Sequence, residues 1–106
     1  MKKVFLFVAA AMMLSLAPTV AMADDAQAVW DKQCAKCHGK AGAGDTKMGE
    51  KMGVKNYTSA EVQKQFTDEQ LAQLIKDGKG KMPAYGKKLT DDQIKEQVKL
   101  IRSFAK

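Results

Sequence analysis

The apolar and polar positions of the chain alternate with helical spacing along most of its length after an uncharged N-terminal segment. From position 26 onward, apolar residues recur three and four apart, at Ala26, Val29, Trp30, Cys34 and Cys37. This pattern predicts a helix from about residue 26 to residue 38 that ends at Gly39.

Three capping sequences predict the later helices. TSAE at residues 58–61 predicts a brief helix, and TDEQ at residues 67–70 begins one that Gly78 ends. TDDQ at residues 90–93 begins the last and longest predicted helix. Its apolar stripe is Ile94, Val98, Ile101 and Ala105, and that of the preceding helix is Leu71, Leu74 and Ile75.

Glycine-rich stretches separate these helices. The segment from residue 39 to residue 57 contains five glycines, which predicts a loop with a short helical turn near residues 48–52. A second loop reads GKGKMPAYGKK. The pattern therefore predicts an all-α fold of three to five helices, with the first and last paired, and with loops that need a bound group to wrap around.

The N-terminal segment has the layout of a secretory signal peptide. Lys2 and Lys3 precede 20 uncharged residues, which close on the small-x-small sequence Ala21-Met22-Ala23. The same run is long enough for an uncleaved membrane anchor, but Pro18 interrupts it just before the cleavage site. We therefore expect residues 1–23 to be a signal peptide and residues 24–106 to be one domain.

The predicted mature domain is small. A chain of that size buries only about 60% of its unfolded surface, so its stability depends on an additional group such as a metal or a large cofactor. Both cysteines and the only histidine lie in CAKCH, residues 34–38. On a helix, Cys34, Cys37 and His38 share one face, with Cβ atoms about 5–6 Å apart.

Three kinds of site could explain CAKCH. Structural zinc needs four ligands, and the chain offers only three cysteine and histidine ligands in total. A thioredoxin-type redox pair is expected near a βαβ pattern, which is absent from the sequence. CxxCH is the attachment motif of c-type haem, in which two thioethers hold the porphyrin and the adjacent imidazole ligates the iron.

The second axial ligand of such an iron is expected to be Met82. No second histidine exists, and Met82 follows His38 by 44 residues, far enough for the chain to pass around a macrocycle. Pro83 restricts Met82 to an extended conformation. Met48 and Met52 are expected to pack in the core or at the haem edge. Lys79 or Lys81 remain possible competitors at high pH.

The chain resembles the small class I c-type cytochromes of bacteria over nearly all of residues 24–106. Trp30-x-x-x-Cys34-x-x-Cys37-His38-Gly39 is similar to the family's haem motif, and Gly80-Lys81-Met82-Pro83-Ala84-Tyr85 is similar to its axial-methionine loop. The helix that ends at Phe104 gives a weaker match. The resemblance implies the compact cytochrome c fold with one covalently attached haem c, and it points to the same ligands.

The sequence departs from the family pattern at two positions, one after the CHG sequence and one in the last helix. Many members have a proline after CHG whose carbonyl accepts the histidine N–H, and its absence here leaves the partner of His38 undefined. Leu100 stands where many members have an aromatic residue. Trp30 and Tyr85 are expected to pack, with hydrogen bonds to the haem propionates as the alternative.

Histidine and methionine together leave an iron no position for substrate, so the sequence predicts a one-electron carrier of the periplasm rather than an enzyme. The alternative is a haem-based ligand-binding or sensor protein with a labile or open distal position. The net charge of +6, or +4 without Lys2 and Lys3, is concentrated at lysines of residues 32–47 and 79–88. We expect redox protein partners with acidic docking surfaces, a monomer, and no nucleic acid or membrane partner after cleavage.

Overall fold

The computed structural model of the chain describes residues 20–106, with side chains from Asp25 onward. Within that part of the chain, every regular element is a helix, which confirms the all-α class. The six helices are α1 Val20–Gln33, α2 Ala35–His38, α3 Lys47–Met52, α4 Ala60–Lys64, α5 Asp68–Asp77 and α6 Asp91–Ser103. None of these is long and apolar enough to cross a membrane.

The predicted first helix is divided into α1 and α2 at Cys34, which raises the count of helices above the expected range. Cys34 has φ −119° and ψ −33°, yet its amide still donates to the Trp30 carbonyl over 2.8 Å. The bend is therefore slight. The predicted end at Gly39 is confirmed, and there the chain turns with φ +85°, which glycine adopts without strain.

The predicted signal peptide lies mostly outside the described residues. Only its last four residues are described, as the backbone of the first turn of α1, which continues past the expected cleavage site after Ala23. The domain boundary therefore stays a prediction.

The capping sequences define three of the helix starts. Thr67 and Thr90 each accept a hydrogen bond from the amide three residues on, and the side chains of Gln70 and Gln93 complete the two capping boxes. The predicted start of the brief helix is wrong by one residue. Ser59 caps α4, because the Thr58 hydroxyl donates to the Asn56 side chain instead.

The expected pairing of the first and last helices is confirmed. The side chain of Trp30 is 2% exposed, and its ring lies 5.0 Å from that of Phe104 just beyond α6. The Gln97 side chain of α6 donates to the Ala26 carbonyl of α1 over 3.0 Å. This crossing forms the centre of the hydrophobic core, which also contains Leu71, Ile75, Ile94, Val98 and Ile101.

Two details of the last helix differ from the prediction. Helix α6 has 13 residues and α1 has 14, so the last helix is not the longest. Ala105 lies beyond Ser103, where α6 ends, and is exposed, so it does not extend the buried stripe.

Candidate functional site

The CAKCH residues lie where α1 meets α2, and all three chemically active side chains are partly buried. Cys34 is at the junction, whereas Cys37 and His38 are on α2. The cysteines are not joined by a disulfide. Burial raises the pKa of the Cys34 thiol to about 12, so this group is a neutral thiol at physiological pH. That environment does not favour a redox-active thiolate at Cys34.

Three consecutive carbonyl groups of this motif each accept a hydrogen bond from the surrounding chain. The Thr46 hydroxyl donates to the Cys37 carbonyl over 2.9 Å, and the Gly44 amide donates to the His38 carbonyl over 2.7 Å. The indole N–H of Trp30 donates to the Gly39 carbonyl over 2.8 Å. These bonds connect the backbone of the motif to three separate positions of the chain.

The bond from Trp30 decides one of the alternatives left open by the sequence. Its indole N–H is used by the backbone of Gly39 inside the core, so Trp30 packs there and does not reach for a propionate. The Tyr85 hydroxyl likewise donates to the Gln33 carbonyl over 3.0 Å. Both aromatic residues therefore follow the packing interpretation.

Helix α3 contacts the motif so closely that only glycine fits at one position. A Cβ atom at Gly49 would overlap the carbonyl oxygen of Cys37. The Thr46 hydroxyl caps α3 by accepting a hydrogen bond from the Gly49 amide over 2.8 Å. The same hydroxyl donates to the Cys37 carbonyl. The glycine-rich loop thus serves to bring a short helix against the back of the motif.

The imidazole of His38 is held between aromatic rings. Its centroid is 5.6 Å from that of Trp30 and 5.6 Å from that of Tyr57, and the Tyr57 ring is stacked with an interplanar angle of 27°. Burial lowers the pKa of His38, which favours the neutral form that binds metals. The buried Nδ1 atom has no hydrogen-bond partner among the described residues.

Met82 is held by a tight loop after α5. The amide of Met82 donates to the Lys79 carbonyl over 2.9 Å, and the Lys79 amide donates back to Met82 over 3.0 Å. Gly78, with φ +73°, allows this reversal, and a Cβ there would overlap the Met82 carbonyl oxygen. The Tyr85 amide donates to Ile75, which ties the returning chain to α5.

The four residues predicted for the site line one cavity of about 320 Å³. Cys34, Cys37 and His38 lie on one part of its wall, and the Met82 loop supplies another part. The size is within the range of about 300–1,000 Å³ that small-molecule and cofactor sites have. A smaller inner cavity of about 30 Å³ is lined by Cys34, His38 and Met82 as well, together with core residues.

The family comparison matches residues 21–101 to the family described as cytochrome C oxidase, cbb3-type, subunit III. The chain belongs to this family. It is a small monohaem c-type cytochrome, and its cofactor is one covalently bound haem c with iron. Membership of a cytochrome c family supports electron transfer as the general role.

Two solved structures resemble the cytochrome over most of its length. The c-type cytochrome KustC0563 is 30% identical and aligns with a TM-score of 0.72, covering 76% of this chain and 98% of its own. A tyrosine-to-phenylalanine mutant of KustC0563 is also 30% identical, with a TM-score of 0.69 and the same coverage of both chains. The comparison with curated proteins finds no match.

The donor atoms in the cavity fit a haem. They comprise two thiols in attachment spacing, an imidazole, and a thioether sulfur on a separate loop. In residues 20–106, no cluster of three or more histidine, cysteine or acidic side chains is arranged to hold a metal ion by itself. The individual roles of Cys34, Cys37, His38 and Met82 stay predictions.

The sequence interpretation misses three contributors to the cytochrome's site. The short helical turn predicted near residues 48–52 is confirmed as α3, but the capping role of Thr46 and the close contact at Gly49 are not predicted, because a threonine three residues before a glycine gives only a weak capping pattern. Gln97 is polar and is therefore absent from the predicted apolar stripe, yet it lies three residues after Ile94 and four before Ile101, within that stripe. That spacing is the pattern by which it could have been found.

Proposed function

We propose that this cytochrome is an exported, soluble one-electron carrier of the periplasm that shuttles electrons between larger redox proteins. Cys34 and Cys37 hold the haem covalently, and His38 and Met82 are its axial ligands. The observation that carries the proposal is that a histidine and a methionine line the same cavity as the two cysteines. With both axial positions taken by side chains, substrate has no place to bind.

The haem iron supplies a reversible one-electron couple between its ferric and ferrous forms. The chain determines how that couple is used. The thioether of Met82 favours the ferrous form and raises the potential, and the packed rings of Trp30 and Tyr57 keep the His38 imidazole in a fixed orientation. Little has to rearrange when one electron arrives or leaves.

The mouth of the cavity has a basic rim, defined here as Lys36, Lys79 and Lys81. All three side chains line the cavity and reach solvent. Met52 is 39% exposed beside them and adds an apolar contact. We propose that the basic rim orients an acidic redox partner toward the cofactor, which increases the rate of encounter at low ionic strength.

The test uses the purified holoprotein. Potentiometric titration should show one electron per chain, the haem should remain with the denatured polypeptide in a mass spectrum, and carbon monoxide should leave the spectrum of the reduced protein unchanged. Carbon monoxide binding by the wild-type protein would instead support a ligand-binding or sensor protein with a labile distal position. Haem lost on denaturation would contradict attachment through Cys34 and Cys37.

A further inference from the structure

Gln97 is a polar side chain at the centre of the core. It is 1% exposed, and no other polar or charged side chain of the described residues is fully buried. Its neighbours on the buried face of α6 are Ile94, Val98 and Ile101. An apolar side chain of similar size would fill this position without the cost of removing an amide from water.

The orientation of the Gln97 amide follows from its one hydrogen bond. The group that faces the Ala26 carbonyl at 3.0 Å must be the NH₂ group, since a carbonyl oxygen can only accept. The carbonyl oxygen Oε1 therefore lies on the other side of the amide. It is buried and has no partner among the described residues. A buried acceptor left unpaired in this way calls for a physical explanation.

Gln97 borders two cavities of different character. One is the inner cavity of about 30 Å³, which His38 and Met82 also line. The other, of about 90 Å³, lies between α1 and α6 and is lined by the acidic residues Asp25, Asp92 and Glu96. A carbonyl oxygen carries a partial negative charge, so three carboxylates disfavour its turning toward the outer cavity. A positively charged iron centre favours its turning toward the inner one.

We propose that Gln97 tunes the reduction potential of this cytochrome, with its unpaired Oε1 directed into the haem crevice. There, the negative end of the amide dipole stabilises the ferric centre relative to the ferrous centre, because the ferric form carries one more positive charge. Gln97 thus acts electrostatically on the one-electron couple and does not ligate the iron. The inference rests on the proposed function in one respect, that the haem lies against His38 and Met82.

The effect is expected to be larger than that of an exposed amide. Gln97 is shielded from water, and in a low local dielectric a dipole acts more strongly on a nearby charge. Met82 favours the ferrous form through the bond to iron, whereas Gln97 opposes it through space. The measured potential would then be set by both residues, with Gln97 lowering the value that methionine ligation alone gives.

The test measures the potentials of Gln97→Leu and Gln97→Met holoproteins against wild type. At a fixed ambient potential, the ratio of ferric to ferrous protein should fall about threefold in both variants, which corresponds to a positive shift of about 30 mV for a one-electron couple. Val98→Ala is the matched control, because Val98 is buried on the same helix and lines neither cavity with His38. It should leave the ratio unchanged.

An unchanged or more negative potential in both Gln97 variants would overturn the inference, as would an equal shift in Val98→Ala. A crystal structure of the wild-type holoprotein provides a second measurement that does not depend on variant folding. It should show Oε1 directed toward the haem, and an Oε1 in the outer cavity would overturn the inference. A failure of the axial ligation itself is distinguishable, because it would appear in the wild-type spectrum and structure whatever the position of Gln97.

Discussion

At the scale of single residues, the haem motif depends on neighbours that act through its backbone. Trp30 and Thr46 supply side-chain donors to the carbonyls of Gly39 and Cys37, and thereby hold the backbone that carries the cysteines and the histidine. A hydrogen bond inside the core contributes mainly through the penalty of losing it, because the acceptor left behind cannot reach water.

Trp30→Phe tests this point. The substitution keeps an aromatic ring but removes the indole N–H, and the buried carbonyl of Gly39 then lacks its donor. We expect the free energy of unfolding of the holoprotein to fall by about 1–3 kcal/mol, with a further loss from the smaller ring. Denaturant titration followed by circular dichroism measures the change. An unfolding free energy equal to that of wild type would contradict the role given to this bond.

The sequence alone predicts candidate residues for the haem chemistry, but it does not predict which neighbours hydrogen-bond to their backbone. CxxCH and Met82-Pro83 are local patterns, so their residue types and spacing are informative by themselves. The bond from Trp30 to Gly39 spans nine residues, and the bond from Gln97 to Ala26 spans 71. Contacts of that separation depend on helix packing, which local spacing does not determine.

At the scale of elements, the short helix α3, of six residues, supports the haem motif. Thr46 caps this helix and also donates to the Cys37 carbonyl, so one side chain joins α3 to the end of α2. Gly49 completes the contact by leaving room for the same carbonyl. Helix α3 is therefore better understood as a support for the haem motif than as an independent element.

Thr46→Ala should cost more stability than Thr67→Ala. Thr67 caps α5 through the same kind of bond, and its loss is expected to cost about 0.5–2 kcal/mol. Thr46→Ala also leaves the part-buried Cys37 carbonyl without its donor, which should add about 1 kcal/mol. Thr46→Ser retains both bonds and should stay close to wild type. Equal unfolding free energies for the two alanine variants, measured by denaturant titration, would show that the bond to Cys37 contributes nothing.

Helix starts were predictable where the capping pattern was unambiguous. Thr67 and Thr90 each have a glutamine three residues on, and both capping boxes form as expected. The pair Thr58 and Ser59 offered two adjacent hydroxyls, and the competing bond from Thr58 to Asn56 decided between them. The bend at Cys34 had no sequence pattern of its own, because cysteine neither breaks nor caps a helix strongly.

At the scale of the whole molecule, the fold places the cavity that His38 and Met82 line beneath a basic rim. The chain has a net charge of +6, and Lys36, Lys79 and Lys81 come from two segments far apart in sequence. The two lysine-rich stretches were evident in the sequence. That they meet around one cavity follows from where the fold places the Met82 loop and α2, which the sequence could not show.

Lys81→Glu should slow electron exchange with an acidic redox protein more than Lys95→Glu does. Both substitutions lower the net charge by two, but Lys95 is exposed on α6 and does not line the cavity. The difference should shrink as salt is raised, since the Debye length falls from about 10 Å at 0.1 M to about 3 Å at 1 M. Stopped-flow measurements over a range of ionic strengths give the difference in electron-exchange rate between the two variants. Equal rates for the two variants at low salt would contradict a docking role for the basic rim.

The central claim is that one haem is held between the imidazole of His38 and the sulfur of Met82. The most direct test is the ferric absorption spectrum of Met82→Ala beside that of Met52→Leu, because Met52 lines the same cavity and serves as the matched control. The account predicts that the weak long-wavelength band from sulfur to iron is present in wild type and Met52→Leu and absent from Met82→Ala. A band that persists in Met82→Ala would contradict it.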